Sequence, residues 1–225
     1  MLTKTEKQFT VIYCLNLLLV LICNQVERLS TLHYFVKPLL LMSLMVFFFK
    51  QCIEFKKLTR QLMMLALFFS LSGDVLLMFS KQKPLFFILG LIAFLWANVM
   101  YTFVFLKQRD ASKKAFLFII VLLVYAAGLY YLLQDGLGKM CLPVLAYMLV
   151  ILTMATTAYL RKENKENQTY KLVFIGALLF LISDSLLSLN LFYKPIPLAN
   201  VSIMLTYGFA QFLIVLGILK FGKSQ

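Results

Sequence analysis

A single histidine, His33, and nine acidic residues are all that this chain of 225 residues offers to metal or acid–base chemistry. One histidine cannot supply a Ser/His/Asp or Cys/His set together with its orienting partners, so hydrolysis through an activated nucleophile is disfavoured. Cysteine is equally sparse. Cys14, Cys23, Cys52 and Cys141 show no Cys-x-x-Cys spacing, which argues against a metal site or a disulfide framework. At most Cys23 and Cys141, both at the outer ends of expected helices, leave room for one bridge. Charged residues make up only 14% of the chain, whereas a soluble domain carries about 25%. That deficit excludes an ordinary soluble fold. The scarcity of acid also leaves a net charge of +13. On a soluble chain this would suggest nucleic acid. Here the better reading places the basic residues in loops against anionic lipid, with no nucleic-acid partner.

What fills the chain is apolar. Hydrophobic residues reach 62% and the mean hydropathy is +0.90. A span needs about 20 apolar residues. The sequence divides into eight such runs, at roughly 8–26, 35–50, 61–79, 84–106, 115–133, 141–160, 171–191 and 198–220. The first follows Lys4 and Lys7 as a signal peptide would, but no small-residue cleavage site follows, so it reads as a retained span. The expectation is an all-α integral membrane protein of eight transmembrane helices, a single domain over 1–225. Basic residues sort by side. Sixteen of the 22 Lys and Arg fall in the terminal segments and the loops near 50–60, 107–114 and 161–171, and six in the other loops. The alternation puts both termini in the cytoplasm, in an expected bacterial cytoplasmic membrane.

An internal echo runs through the sequence. Leu71-Ser72-Gly73-Asp74 with Lys83-Pro84 matches Ile182-Ser183-Asp184 with Lys194-Pro195. It suggests two parallel four-helix repeats, halves 1–110 and 111–225. Chance similarity among apolar helices is the competing reading.

Asp74 and Asp184 are the only acidic residues within these eight runs. Counted from outer ends near Ser80 and Asn190, each lies six residues inside, about 9 Å at 1.5 Å per residue, in the outer half of the hydrocarbon. Neither run holds a Lys or Arg at that level. An intramembrane carboxylate costs at least about 2.5–3.5 kcal/mol, so the pair is expected to face a polar cavity and to be catalytic. Tyr147 and Tyr207 reach a similar layer, and Lys37 at the mouth of the second run suits an anionic headgroup. Asn98 and Gln211 lie deeper, and cross-helix hydrogen bonding is their first reading. All five complete the candidate substrate-binding set. His33, Ser183, Ser185 and the Thr153, Thr156 and Thr157 cluster carry no specific signal.

These residues resemble a known family. The stretches FSLSGDVLLMF, GLIAFLWANVMYTFVF, PVLAYMLVILTM, GALLFLISDSLL and TYGFAQFLI are similar to the YhhN family of membrane lysoplasmalogenases. The likeness runs from Lys37 to the eighth run, and its specific part is the two Asp motifs. One departure is Asn98, where the family commonly has His. The resemblance implies hydrolysis of the vinyl ether of a lysoplasmalogen, an alkenyl-glycerophosphocholine or -ethanolamine. The products would be a fatty aldehyde and a glycerophospho-alcohol. Two carboxyls suit that chemistry, one as acid and one to stabilise an oxocarbenium ion, with no metal or organic cofactor. The substrate would be a lysophospholipid entering from the bilayer among other membrane lipids. The sequence does not set the oligomeric state.

Two other classes compete. A proton-coupled small-molecule transporter would use Asp74 and Asp184 as a proton relay. The third and seventh runs lack the mid-helix proline that a broken transport helix favours. An intramembrane aspartyl protease would want Gly-x-Gly-Asp and Tyr-Asp, but Leu71 and Ser183 stand at those positions.

Overall fold

The computed structural model describes residues 3–52, 55–80, 82–162 and 169–222. Lys81, Lys165 and Lys223, which enter the charge count by side, lie outside the described residues. Among those described there are eight α-helices and no strand beyond one isolated bridge between Arg109 and Arg161. The helices are α1 (Lys4–Gln25), α2 (Ser30–Gln51), α3 (Lys57–Met78), α4 (Pro84–Leu106), α5 (Phe116–Leu137), α6 (Cys141–Tyr159), α7 (Thr169–Phe192) and α8 (Ala199–Gly222). Seven stretches are long and apolar enough to cross a membrane, and one of them, Phe116–Tyr159, contains both α5 and α6. These two are joined only by a 3-10 turn, Gly138–Met140, whose Gly138 has φ +48°. Glycine is the residue that adopts this sign of φ without a Cβ penalty.

The helix ends depart from the sequence expectation for local reasons. α1 starts at Lys4 because Thr3 and Glu6 form a capping box. The Glu6 N–H donates to Thr3 Oγ1 at 3.2 Å, and the Thr3 N–H donates to Glu6 Oε2 at 3.0 Å. α2 starts five residues earlier than expected and is a full 22 residues, with Pro38 inside it. Proline removes the hydrogen bond to the carbonyl of Tyr34, a loss that apolar helices tolerate when neighbours compensate. α5 runs on to Leu137 and so takes in Asp135, which is exposed in its last turn. Among the described residues, two carboxyls besides Asp74 and Asp184 are therefore α-helical, Glu6 and Asp135, both close to helix ends. All four cysteines are free, so Cys23 and Cys141 form no bridge.

The outer faces are apolar to a degree that suits hydrocarbon and not water. Phe35, Phe116, Leu117, Tyr131 and Leu142 are each more than 70% exposed. Water would penalise such surfaces, while lipid does not.

The chain forms two compact units, Met1–Ala97 and Asn98–Gln225. In the first, α2 packs against both α1 and α3. Phe9 of α1 stacks on Phe47 of α2 with ring centroids 3.9 Å apart. Gly73 lets Phe94 press on α3. A Cβ at 73 would lie 2.6 Å from the Phe94 ring, closer than van der Waals contact permits. In the second unit α7 and α8 share a tight seam. A Cβ at Gly176 would meet the Ala210 carbonyl oxygen at 3.0 Å, and one at Gly217 would meet the Val173 backbone nitrogen at 3.0 Å. Small residues let membrane helices approach this closely, and packing contacts then replace the missing hydrophobic drive. Between α6 and α7, Arg161 is fully buried. Its Nε donates to Gln108 Oε1 at 2.8 Å, its Nη2 to the same oxygen, and its Nη1 to the Thr169 carbonyl at 3.4 Å. Burial pulls this guanidinium down to about 9, because low dielectric disfavours the charged form.

Candidate functional site

Asp74 sits on α3, four residues before its last residue, with its side chain 5% exposed. The adjacent Gly73 admits the Phe94 ring, and that ring helps close the position to water. The partner of the carboxylate comes from the next helix. Lys37 of α2 places its Nζ 3.3 Å from Asp74 Oδ1, with the lysine side chain 17% exposed. The sequence reading searched only α3 and α7 for a neutralising cation. The cation stands on α2, seven residues into the helix, where an ammonium can also snorkel toward an interface. This ion pair is mostly enclosed, so its geometry and not its mere presence decides what it contributes.

Asp184 sits on α7, eight residues before its last residue, and is half-buried. Counted along their own helices, Asp74 and Asp184 are thus four and eight residues from the ends, because α3 stops at Met78 and α7 continues to Phe192. Asp184 Oδ2 accepts a hydrogen bond from the Tyr147 hydroxyl of α6. Tyr147 Oη in turn accepts from Asn98 Nδ2 at 3.1 Å. Asn98 is fully buried, and its Oδ1 has no partner among the described residues. The chain of donors runs one way, from amide to phenol to carboxylate, which suits an acceptor-only carboxylate at its end.

Two expected site residues stand elsewhere in this unit. Gln211 of α8 is fully buried, and its Oε1 accepts from the Tyr101 hydroxyl at 2.5 Å. Tyr207 packs edge-on against Phe180 with centroids 5.5 Å apart. The serines beside Asp184 are occupied. Ser183 donates to the Ile203 carbonyl at 3.0 Å, and Ser185 accepts from Tyr125 at 2.6 Å. Thr153, Thr156 and Thr157 bond back to carbonyls of their own helix. The sequence reading gave Tyr101 and Tyr125 no site role. Their signal was only a tyrosine in an apolar run, which is common in packed helices.

The structure therefore has two carboxyl centres of different make. One is an ion pair within the first unit. The other is a neutral hydrogen-bond chain within the second. Among the described residues no three His, Cys, Asp or Glu are grouped to hold a metal ion.

Comparison with known proteins puts these centres in a family context. Lysoplasmalogenase TMEM86B of Homo sapiens is 32% identical over 160 residues, and lysoplasmalogenase TMEM86B of Sus scrofa is 30% identical over 161. Each alignment takes in 71% of this chain and 64% of the relative, so the chain spans just under two thirds of their length. No solved structure matches the chain. The YhhN family model matches residues 32–218, a stretch that contains Lys37, Asp74, Asn98, Tyr147, Asp184, Tyr207 and Gln211. The chain belongs to the YhhN family.

Proposed function

We propose that this chain is a lysoplasmalogenase, an ether hydrolase that cleaves the vinyl ether of alkenyl-glycerophosphocholine or -ethanolamine. The reading is carried by one observation: two carboxyls inside apolar helices, each with dedicated partners, in a chain whose family relatives bear that activity in their names. Eight crossings with both termini in the cytoplasm complete the reading, in line with the sorting of basic residues.

The chemistry asks for two roles. Protonation of the β-carbon of the alkene generates an oxocarbenium ion, and this step needs a positioned acid. A carboxylate stabilises the cation and takes a proton from the water that attacks it. The hemiacetal so formed collapses to a fatty aldehyde and the free glycerol hydroxyl. Asp184 is the carboxylate, since Tyr147 donates to it and Asn98 donates to Tyr147. Asp74 is the acid. Asn98 Oδ1, buried and open, is the acceptor that orients the water. Tyr207 and Gln211 shape the wall of the acyl-chain path through their packing and the bond to Tyr101.

The test is aldehyde release from a lysoplasmalogen by the purified chain in detergent, with Asp74→Asn and Asp184→Asn beside it. Loss in each variant of about 10²–10⁴-fold is expected for acid–base groups. Full activity in both variants overturns the reading.

A further inference from the structure

His33 is the one histidine of the chain, and the site described above does not use it. It lies on α2 one turn before Lys37. Residues four apart on a helix share a face. The two groups are close enough for the charge of Lys37 to be felt at the imidazole. The ring is hydrogen-bonded to the backbone of Val20, while its Nδ1 is buried with no partner among the described residues. A buried ring nitrogen without a partner carries a desolvation cost unless something fills it. Next to it stands an ammonium with three donors, and the contact described for it is Asp74 at 3.3 Å. An anion with several oxygens would satisfy both. A phosphodiester has two free oxygens and one negative charge, enough to accept from Lys37 and to favour protonation of His33, whose Nδ1–H then donates to the second oxygen.

We propose that His33 and Lys37 form the phosphate subsite for a lysophospholipid headgroup, and that Lys37 exchanges the Asp74 carboxylate for the headgroup phosphate when the lipid binds. The idea rests on the lipid substrate of the preceding section. It adds a residue, His33, and a reason for selectivity. A neutral ether lipid brings no anion, so Lys37 stays committed to Asp74. A phosphate-bearing lipid offers Lys37 a second partner and fills the open nitrogen of His33. Lys37 is the more exposed side of its ion pair, which leaves it the freer partner to move. The same two donors would accept free inorganic phosphate, so the source of the phosphate has to be separated in the test.

The experiment measures binding, which does not depend on turnover. The full chain in detergent is titrated with a saturated 1-O-alkyl-glycerophosphoethanolamine, with the matching 1-O-alkylglycerol, and with inorganic phosphate. Lys37→Met and His33→Ala are expected to weaken the phospholipid by roughly tenfold and threefold, the scale of one charge-assisted and one ordinary hydrogen bond. Lys37→Arg keeps the charge and should stay within about threefold of the parent. None of the three should change binding of the alkylglycerol. Equal losses for both lipids, or no loss in either Lys37→Met or His33→Ala, overturn the subsite. Inorganic phosphate that binds as tightly as the phospholipid, with the same losses in Lys37→Met and His33→Ala, overturns the headgroup as occupant. Aldehyde release from a lysoplasmalogen is followed in parallel. Phosphate discrimination without aldehyde release removes the enzyme reading and keeps the subsite. Aldehyde release without discrimination does the reverse.

Discussion

Asp74 is held by a lysine, and Asp184 by a tyrosine that is itself held by an asparagine. The first arrangement balances charge with charge. Its cation is 17% exposed and attached by a flexible stem. The second uses neutral donors, and these are packed into α4 and α6 with little freedom. Tyr147 is 8% exposed and Asn98 fully buried. The same side chain is thus placed once in an exchangeable setting and once in a fixed one. A reaction that must supply a proton and then restrain a cation needs that difference.

The comparison can be broken most directly through charge. Asp74→Asn strands the Lys37 ammonium, and removing one partner of an enclosed ion pair costs about 3–5 kcal/mol when burial is complete and less when the lysine can reach solvent. Asp184→Asn keeps an acceptor oxygen for Tyr147 and should cost under about 1.5 kcal/mol. Thermal unfolding in detergent should therefore rank Asp74→Asn well below Asp184→Asn, although both lose activity. The double variant Lys37→Met, Asp74→Asn should recover part of the loss. Equal unfolding temperatures for the two single variants would dissolve the distinction.

Tyr147→Phe addresses the other centre. It removes the donor to Asp184 and leaves Asn98 Nδ2 unpaired, a cost of about 1–3 kcal/mol. Aldehyde release should fall by roughly 10- to 100-fold, the lower part of what acid–base positioning supplies. Asn98→Ala should act in the same direction more weakly. If the Tyr147→Phe variant releases aldehyde at the parent rate, the fixed setting of Asp184 has no catalytic meaning.

Gly73→Ala sharpens the comparison from the packing side. The added methyl meets the Phe94 ring at 2.6 Å, and overpacking of this kind costs about 1–3 kcal/mol. Phe94→Leu in the same chain should restore stability, because the clash is with a side chain. The smallest effect on aldehyde release is expected at Gln108→Leu. It unpairs the buried Arg161 guanidinium, with loss of about 1–3 kcal/mol of stability, and it leaves aldehyde release unchanged. Reduced release at full occupancy of the folded state would tie Arg161 to the site.

The apolar architecture was legible because hydropathy marks it residue by residue. The two aspartates were legible because a carboxyl inside an apolar run stands out. Their partners were not. Lys37 was weighed between a headgroup contact and plain snorkelling to the interface, and its pairing with Asp74 depends on how α2 and α3 face each other. Tyr147 was picked out by depth alone, and only packing reveals its bond to Asp184. His33 carried no signal because one imidazole is common near helix ends. Its open Nδ1 is a property of the fold. The helix starts at Lys4 and Ser30 were missed for a similar reason. Capping by Thr3 and Glu6, and a first turn of α2 that carries Ser30, Thr31 and His33, are local effects that a window of hydropathy averages away.

The glycine seam between α7 and α8 has a mechanical consequence. Backbones held this close at Gly176 and Gly217 cannot slide or turn separately. The pair behaves as one lever. In a thicker or thinner bilayer, helices answer mismatch by tilting. α7 has to tilt with α8 in tow, and Asp184, eight residues along α7 from Gly176, swings with the lever and keeps its bearing on the rest of the pair. Bilayer thickness then becomes a variable that sets the depth of one carboxyl.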